Sequence, residues 1–331
     1  MLKECGVALC DEYDLAMLDL DGVVYIGSSA VDGAPEHLQA ASASGLHLAY
    51  ITNNAARPPS AVVEHLRALG IAANDEDVVT SAQAAARLVA QQVPTGTAVF
   101  VIGGDGLFDA LAEQGLTAVQ SISDEPAAVV SGYHPDLQWK TVINGAILVK
   151  RGLPWVASNT DLIVPTAHGP GPGNGVLVDA VARYAGRAPV VAGKPQRPLF
   201  EETIRRVGGK KPVVVGDRLD TDIEGAVNSG FDSLLVMTGV TDLGALVSAG
   251  TEMRPSYISA DLGGLTMEHP VPAAGDRFSL NGWVAEVEGG ALVVHGEGNR
   301  DDWWRVVASA GWSHLDAHGE PVDVSALAVP R

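Results

Sequence analysis

Near-continuous apolar runs recur along the chain, each closed by a polar or acidic cluster, with amphipathic stretches between them. The runs are LAMLDL (15–20), LHLAYI (46–51), PVVVGD (212–217) and SLLVM (233–237). A strand apolar on both faces must be covered on both faces, which is the condition of a parallel sheet flanked by helices. The stretches PEHLQAASASG (35–45), PSAVVEHLRALG (59–70) and PLFEETIRRVGG (198–209) carry Pro at the start and Gly at the end, the punctuation of helices. The predicted class is α/β with a doubly wound parallel sheet.

At 331 residues the chain exceeds the roughly 250 that one core sustains. Two Pro/Gly-rich segments, VPTGT (93–97) and AGRAPVVAGKP (185–195), bracket a further set of α/β elements. These include AVFVIGG, DGLFDALAEQG, AAVVSG, DLQWKTVINGAILVKRG and VLVDAVARYAG. The pattern predicts a core domain from residues 1–93 and 188–268, with an α/β domain inserted at 94–187. Past residue 268 the texture changes. HPVPAAGD reads as a linker, FSLNGWVAEVEGGALVVHG as a hairpin around Gly289-Gly290, and RDDWWRVVASAG as a helix. Four of the six tryptophans, Trp283, Trp303, Trp304 and Trp312, fall in this last part. Such a density predicts a small packed α+β appendage over 269–331 or a contact surface.

The formal charge of −19 repels nucleic acid and bare anionic membrane alike, so neither is expected as a partner. No run reaches the roughly 18 apolar residues of a spanning helix. The N-terminal MLKECGVALC is too short and too soon acidic for a secretory signal. Cys5 and Cys10 lack the company of a disulfide framework or a metal cluster; reduced thiols in the cytoplasm are the expectation. Association of copies of the chain into a homo-oligomer is compatible with all of this.

Ligands of open parallel sheets bind at the carboxyl ends of the strands. There this sequence places Asp19 and Asp21, then Thr52, Asn53 and Asn54, then Lys194 after VVA (190–192), then Asp217 and Asp222. Asp19 and Asp21 stand two residues apart, and Gly22 lets the chain turn away. Four carboxylates in one place would be driven to protonate without a cation. An all-oxygen, carboxylate-rich site suits Mg²⁺. Lys194, the Thr52 hydroxyl and the backbone N–H groups of Asn53 and Asn54 supply donors for an anion. The parts fit phosphoryl transfer from a small phosphorylated metabolite. Each alone has a plainer explanation: a helix cap for Asp217, a loop cap for Thr52-Asn53-Asn54, a surface lysine for Lys194. DxDG also opens calcium loops, but VVYIGSSAV follows here in place of further ligands.

In order and spacing, LDLDGVVY, ITNNA, AGKPQ and VGDRLDTDI resemble the haloacid dehalogenase superfamily of phosphatases. The likeness is to its class with a large α/β cap, which contains phosphoglycolate, glycerol-phosphate and nitrophenyl phosphatases, and it covers about residues 12 to 268. The resemblance implies Asp19 as the nucleophile of an aspartyl-phosphate and Asp21 as the acid/base. It implies Mg²⁺ held by Asp19, the Asp21 carbonyl and Asp217, with Asp222, and less directly Asp220, supporting metal-bound water. Thr52, Asn53 and Lys194 would hold the phosphoryl group. Glycerol 3-phosphate and 2-phosphoglycolate are the favoured substrates. Nucleotide or pyridoxal-phosphate hydrolysis, or a non-catalytic ligand-binding role on the same fold, are the alternatives. The loop TAHGPGPGNG (166–175), with His168, is either a ligand-facing part of the cap or an ordinary surface loop.

Overall fold

The structure is a computed structural model that describes residues 1–166, 168–275 and 277–330. Ala167, in the TAHGPGPGNG loop, and Asp276 and Arg331, in the C-terminal part, lie outside the described residues. The protein is α/β, with a parallel core sheet, an inserted parallel sheet and a C-terminal antiparallel sheet. Within the core sheet, Tyr257–Ser259, Asp232–Val236, Pro212–Gly216 and Leu15–Leu18 run side by side in that order, and His47–Thr52 pairs in parallel with Val78–Thr80. The chain forms two compact units: Met1–Leu48, Leu69–Ile71 and Gly209–Arg331 in the first, Ala49–Ala68 and Ala72–Gly208 in the second.

In the first unit Leu15–Leu18 and Pro212–Gly216 are buried along their whole length and pair in parallel, Leu18 opposite Val215. Asp232–Val236 and then Tyr257–Ser259 extend the sheet in the same sense. All but Tyr257–Ser259, which was not among them, are the apolar runs of the sequence, shifted by a residue or two at their ends.

The C-terminal part belongs to this same unit. Phe278–Leu280, Trp283–Glu288 and Ala291–Gly296 form an antiparallel sheet, packed on the helix Arg300–His318. The helix starts at Asn299, whose side chain accepts from the Asp301 N–H, and ends at Gly319 in the left-handed region. Trp283, Trp303, Trp304 and Trp312 share one apolar cluster with Leu235, Leu246, Val247 and Ile258, so the α+β appendage packs on the core strands. The fully buried Trp312 donates its indole N–H to the Leu246 carbonyl at 2.7 Å. Truncating a tryptophan so placed costs roughly 3–5 kcal/mol. Asp301 accepts from the Ser259 hydroxyl (3.0 Å) and the Ala260 N–H (2.6 Å), and Asp316 accepts from the two terminal guanidinium nitrogens of Arg254 (2.8 and 2.6 Å).

The second unit contains a five-stranded parallel sheet in the order Val190–Val191, Trp155–Ala157, Ala128–Ser131, Ala98–Ile102, Thr117–Val119. Val190–Val191, expected from VVA to end in the core sheet, pairs instead with Val156 and Ala157. Two residues are too short a run to declare which sheet they join; the partner is a tertiary matter. TAHGPGPGNG is not a plain loop. Ile163–Thr166 pairs antiparallel with Gly169–Pro172, closed by a Thr166 hydroxyl bond to the Gly169 carbonyl (2.6 Å). Gly and Pro mask this hairpin in the sequence because neither favours a strand.

His269 is buried between Arg305, Asp302 and Tyr257. Arg305 has only donors, so it donates to Nδ1 (3.1 Å), and Nε2–H donates to the Gly264 carbonyl (2.8 Å). Burial above all pushes the imidazole pKa down to about 4; the bond to Gly264 opposes this and the Arg305 charge adds to it. An unfolded chain takes up this proton near pH 6.5. Between about 6.5 and 4 the unfolded state therefore binds more protons, and stability falls as pH is lowered through that window, by roughly 3 kcal/mol from this group. His269→Gln is expected to flatten the pH dependence of the urea midpoint over this window; an unchanged slope would mean that His269 is not the group responsible.

Candidate active site

The site of the first unit begins where two buried strands stop side by side. The Asp19 N–H donates to the Val215 carbonyl at 2.8 Å, extending the ladder one residue past Leu18 and bringing Asp19 abreast of the residues before Asp217. The chain then doubles back: the N–H groups of Val23, Val24 and Tyr25 all converge on the Leu20 carbonyl (3.3, 2.9 and 3.1 Å), and Gly22 N–H donates to the Tyr25 carbonyl (2.8 Å). Gly22 sits at φ +88°, and a Cβ there would lie 2.6 Å from Asp217 Oδ2. Glycine is required twice over, for the backbone and for the neighbouring carboxylate. Asp21 is exposed at this turn.

Asp217 is fully buried at the end of Pro212–Gly216. A loop after the Asp232–Val236 strand holds it. Val240 N–H donates to Oδ2 at 2.6 Å, and Thr241 donates its N–H (3.1 Å) and hydroxyl (2.6 Å) to the Asp217 carbonyl. Thr238 donates its hydroxyl to the Gly22 carbonyl (2.6 Å), and a Cβ on Gly239 would overlap the Asp217 carboxylate. This Thr238–Thr241 loop was not singled out in the sequence, although its place past the carboxyl end of a core strand was the available signal.

Asp222, also fully buried, lies in a single π-helical turn, Leu219–Ile223. The Asp222 and Ile223 N–H groups both reach the Arg218 carbonyl (3.2 Å each), and Asp222 Oδ2 accepts from the Arg218 N–H (3.1 Å). The turn aims Asp222 back toward Asp19 and Asp217: each of the three offers a carboxylate oxygen within 4.8 Å of the others. Asp220 faces elsewhere, in a two-pronged pair with the Arg218 guanidinium (3.0 and 2.8 Å). Burial pushes the Asp220 carboxyl up, but that guanidinium more than offsets it and holds the group below the usual carboxylate range. Two unit charges at 4 Å repel by about 4 kcal/mol at an effective dielectric of 20. The three oxygens, two from buried and one from a half-buried carboxylate, are hard donors close enough to share one divalent cation, which removes that cost.

Thr52, Asn53, Asn54 and Lys194 gather in the second unit around one amide. Asn53 Nδ2 donates to both oxygens of Asp161 (3.1 and 3.2 Å) and to the Lys194 carbonyl (3.0 Å), while Oδ1 accepts from the Lys194 N–H (2.8 Å). The Asn53 carbonyl accepts from the Ser81 hydroxyl and from Asn159 Nδ2, each at 2.6 Å. Gly193 leaves room for this: its Cβ would fall 2.5 Å from Asn53 Oδ1. Thr52 and Lys194 are buried; Thr52 Oγ1 accepts from the Asn54 N–H (3.1 Å), and the Lys194-Pro195 bond is cis. Asp161 and Asn159 escaped sequence reasoning because their role rests on a partner more than a hundred residues away.

Residues 16–117 match the model of haloacid dehalogenase-like hydrolases, and residues 191–265 match a second model, HAD-hydrolase-like. The chain is similar to D-glycerol 3-phosphate phosphatase of Mycobacterium tuberculosis, 38% identical over 330 residues, 96% of this chain and 92% of that one. It is 34% identical to acid sugar phosphatase of Staphylococcus aureus over 253 residues, 76% of this chain and 96% of that one. The crystal structure of the M. tuberculosis glycerol phosphate phosphatase in complex with magnesium superposes with a TM-score of 0.84 at 39% identity, covering 93% and 92% of the two chains. The near-complete overlap with the mycobacterial enzyme takes in C-terminal residues that the sequence reading left without a counterpart in its family.

Gly22→Ala is expected to displace the Asp217 carboxylate and weaken Mg²⁺ binding at least tenfold by titration calorimetry, with the fold kept by circular dichroism. Unchanged affinity would show that the Gly22–Asp217 contact does not shape the site.

Proposed function

Because the chain belongs to the haloacid dehalogenase-like hydrolases, and is a phosphatase acting on phosphoric monoesters, we propose glycerol 3-phosphate as its substrate, with 2-phosphoglycolate the next choice. The observation that carries the chemistry is the triad of Asp19, Asp217 and Asp222, whose oxygens lie within 4.8 Å of one another at the end of the core strands. The substrate rests on the 38% identity to the mycobacterial enzyme over almost the whole chain.

In this reading Asp19 attacks phosphorus and forms an aspartyl-phosphate, while Asp21 gives a proton to the departing alkoxide. Asp21 then takes a proton from water, which attacks the same phosphorus and restores Asp19 with release of phosphate. The exposure of Asp21 suits a group that exchanges protons with solvent and the leaving group. Asp19, the Asp21 carbonyl and Asp217, supported by Asp222, would hold Mg²⁺, which would supply charge neutralisation for the phosphoryl group and its attacking carboxylate. Thr52, Asn54 and Lys194 bind the phosphoryl oxygens; Asn53 contributes through its backbone, since its side chain is engaged by Asp161 and Lys194. The core functions fall to residues 1–93 and 188–268, and the segment 94–187 selects the leaving group, which favours small alcohols. Cys5 and Cys10, both free thiols, suit a reducing cytoplasm. No helix among the described residues is long and apolar enough to cross a membrane.

Phosphate release from glycerol 3-phosphate, 2-phosphoglycolate, nucleoside monophosphates and pyridoxal phosphate tests the reading. Glycerol 3-phosphate is expected to give the highest kcat/KM, EDTA to silence turnover and Mg²⁺ to restore it, and Asp19→Asn to lower kcat by at least a thousandfold. Near-wild-type turnover by Asp19→Asn, or hydrolysis without metal, would overturn the mechanism; preference for a nucleotide or pyridoxal phosphate would overturn the substrate.

A further inference from the structure

The Asn53 amide is held by the Asp161 carboxylate and by both backbone groups of Lys194, and all of these contacts require the same orientation. A carboxylate only accepts hydrogen bonds, so it can face the NH₂ end of an amide but not the oxygen end. With Nδ2 turned to Asp161 (3.1 and 3.2 Å), Oδ1 must turn to the Lys194 N–H, and Nδ2 also reaches the Lys194 carbonyl. Flipping the amide would set Oδ1 against a carboxylate and a carbonyl at once. Asp161 therefore reinforces the one amide orientation that the Lys194 N–H and carbonyl also require. The chosen one ties both backbone groups of Lys194 to the residue that follows Thr52.

Asp161 is itself fixed. Its N–H donates to Asn159 Oδ1 (3.2 Å), and its carbonyl accepts from the Gly175 N–H (2.9 Å). Asn174 Nδ2 donates to the Asn159 carbonyl (2.7 Å), and Gly173 N–H to the Leu162 carbonyl (2.8 Å). Side chains on Gly173 or Gly175 would collide with the Asp161 and Thr160 carbonyls. The base of the Ile163–Pro172 hairpin and the first turn of the helix Asn174–Ala185 are thus locked onto Asp161. We propose that Asp161 is a positioning residue for phosphate binding: acting through the Asn53 amide, it sets Thr52 and Lys194 in register with each other. This rests on the phosphatase reading above, in which Thr52 and Lys194 contact the phosphoryl group.

The test is a double-mutant cycle on the full-length protein with p-nitrophenyl phosphate as substrate and inorganic phosphate as competitive probe. Asp161→Asn, the isosteric change, can present NH₂ as well as oxygen and removes the carboxylate's share of the constraint on Asn53. It is expected to lower kcat/KM by roughly ten- to a hundredfold and to raise the Ki of inorganic phosphate, with the thermal midpoint and Mg²⁺ affinity unmoved. Asp161→Ala added to Asn53→Ala should cost less than about twofold more, because the second change removes nothing the first left in place. Wild-type KM and Ki in Asp161→Asn, or additive losses in the cycle, would overturn the proposal. Should Asp161→Ala fail to fold, the same cycle run with Asp161→Asn decides it. Failure of the phosphatase reading shows separately, as equal phosphate release by wild type and Asp19→Asn; the affinity for inorganic phosphate by calorimetry then judges Asp161 on its own.

Discussion

Mutual repulsion of buried carboxylates is the constraint around which the first unit is arranged. Asp217 and Asp222 are both without solvent exposure, and Asp19 brings a third carboxylate within 4.8 Å. A chain keeps such a cluster only where the charge is answered, and the surroundings are built to hold the oxygens ready for a cation. Val240 N–H and the Thr241 hydroxyl and N–H fix Asp217, and a π-helical turn aims Asp222. Glycines 22 and 239 give up side chains to let the Asp217 carboxylate fit. Aligned strand ends do the rest, because parallel pairing in register delivers Asp19 and Asp217 to the same rim.

The second unit solves a different problem, orientation without charge crowding. One amide, Asn53, joins a loop after His47–Thr52 to the backbone of Lys194 and to Asp161. The glycine at 193 and those at 173 and 175 allow the backbone approaches this needs. The C-terminal tryptophans belong to the apolar core of the first unit. They close the apolar cluster beside Asp232–Val236 and Tyr257–Ser259, and the Asp301 and Arg254–Asp316 contacts fasten them there.

Much of this was legible in the residues. The apolar runs declare a covered parallel sheet because no other common arrangement buries both faces of a strand. The acidic and polar residues that follow those runs mark the rim, since the carboxyl ends of parallel strands are where such sheets bind ligands. Less legible were the parts whose meaning depends on a distant partner. Val190–Val191 is too short to name its sheet. GPGP hides a hairpin strand in residues that resist strands. Thr238–Thr241 and Asp161 look like ordinary loop residues until the groups they bind are known.

The sequence by itself determined the α/β class, the alternation of elements and the acidic residues that end the strands, because periodicity and strand-end chemistry are local properties. Only the tertiary structure decided which carboxylates come together, that Asp220 turns to Arg218 while Asp222 turns inward, and that Asn53 spends its side chain on Asp161 and Lys194. A residue's direction is set by hydrogen bonds to groups far along the chain. Nothing in its immediate neighbours encodes where those groups will be.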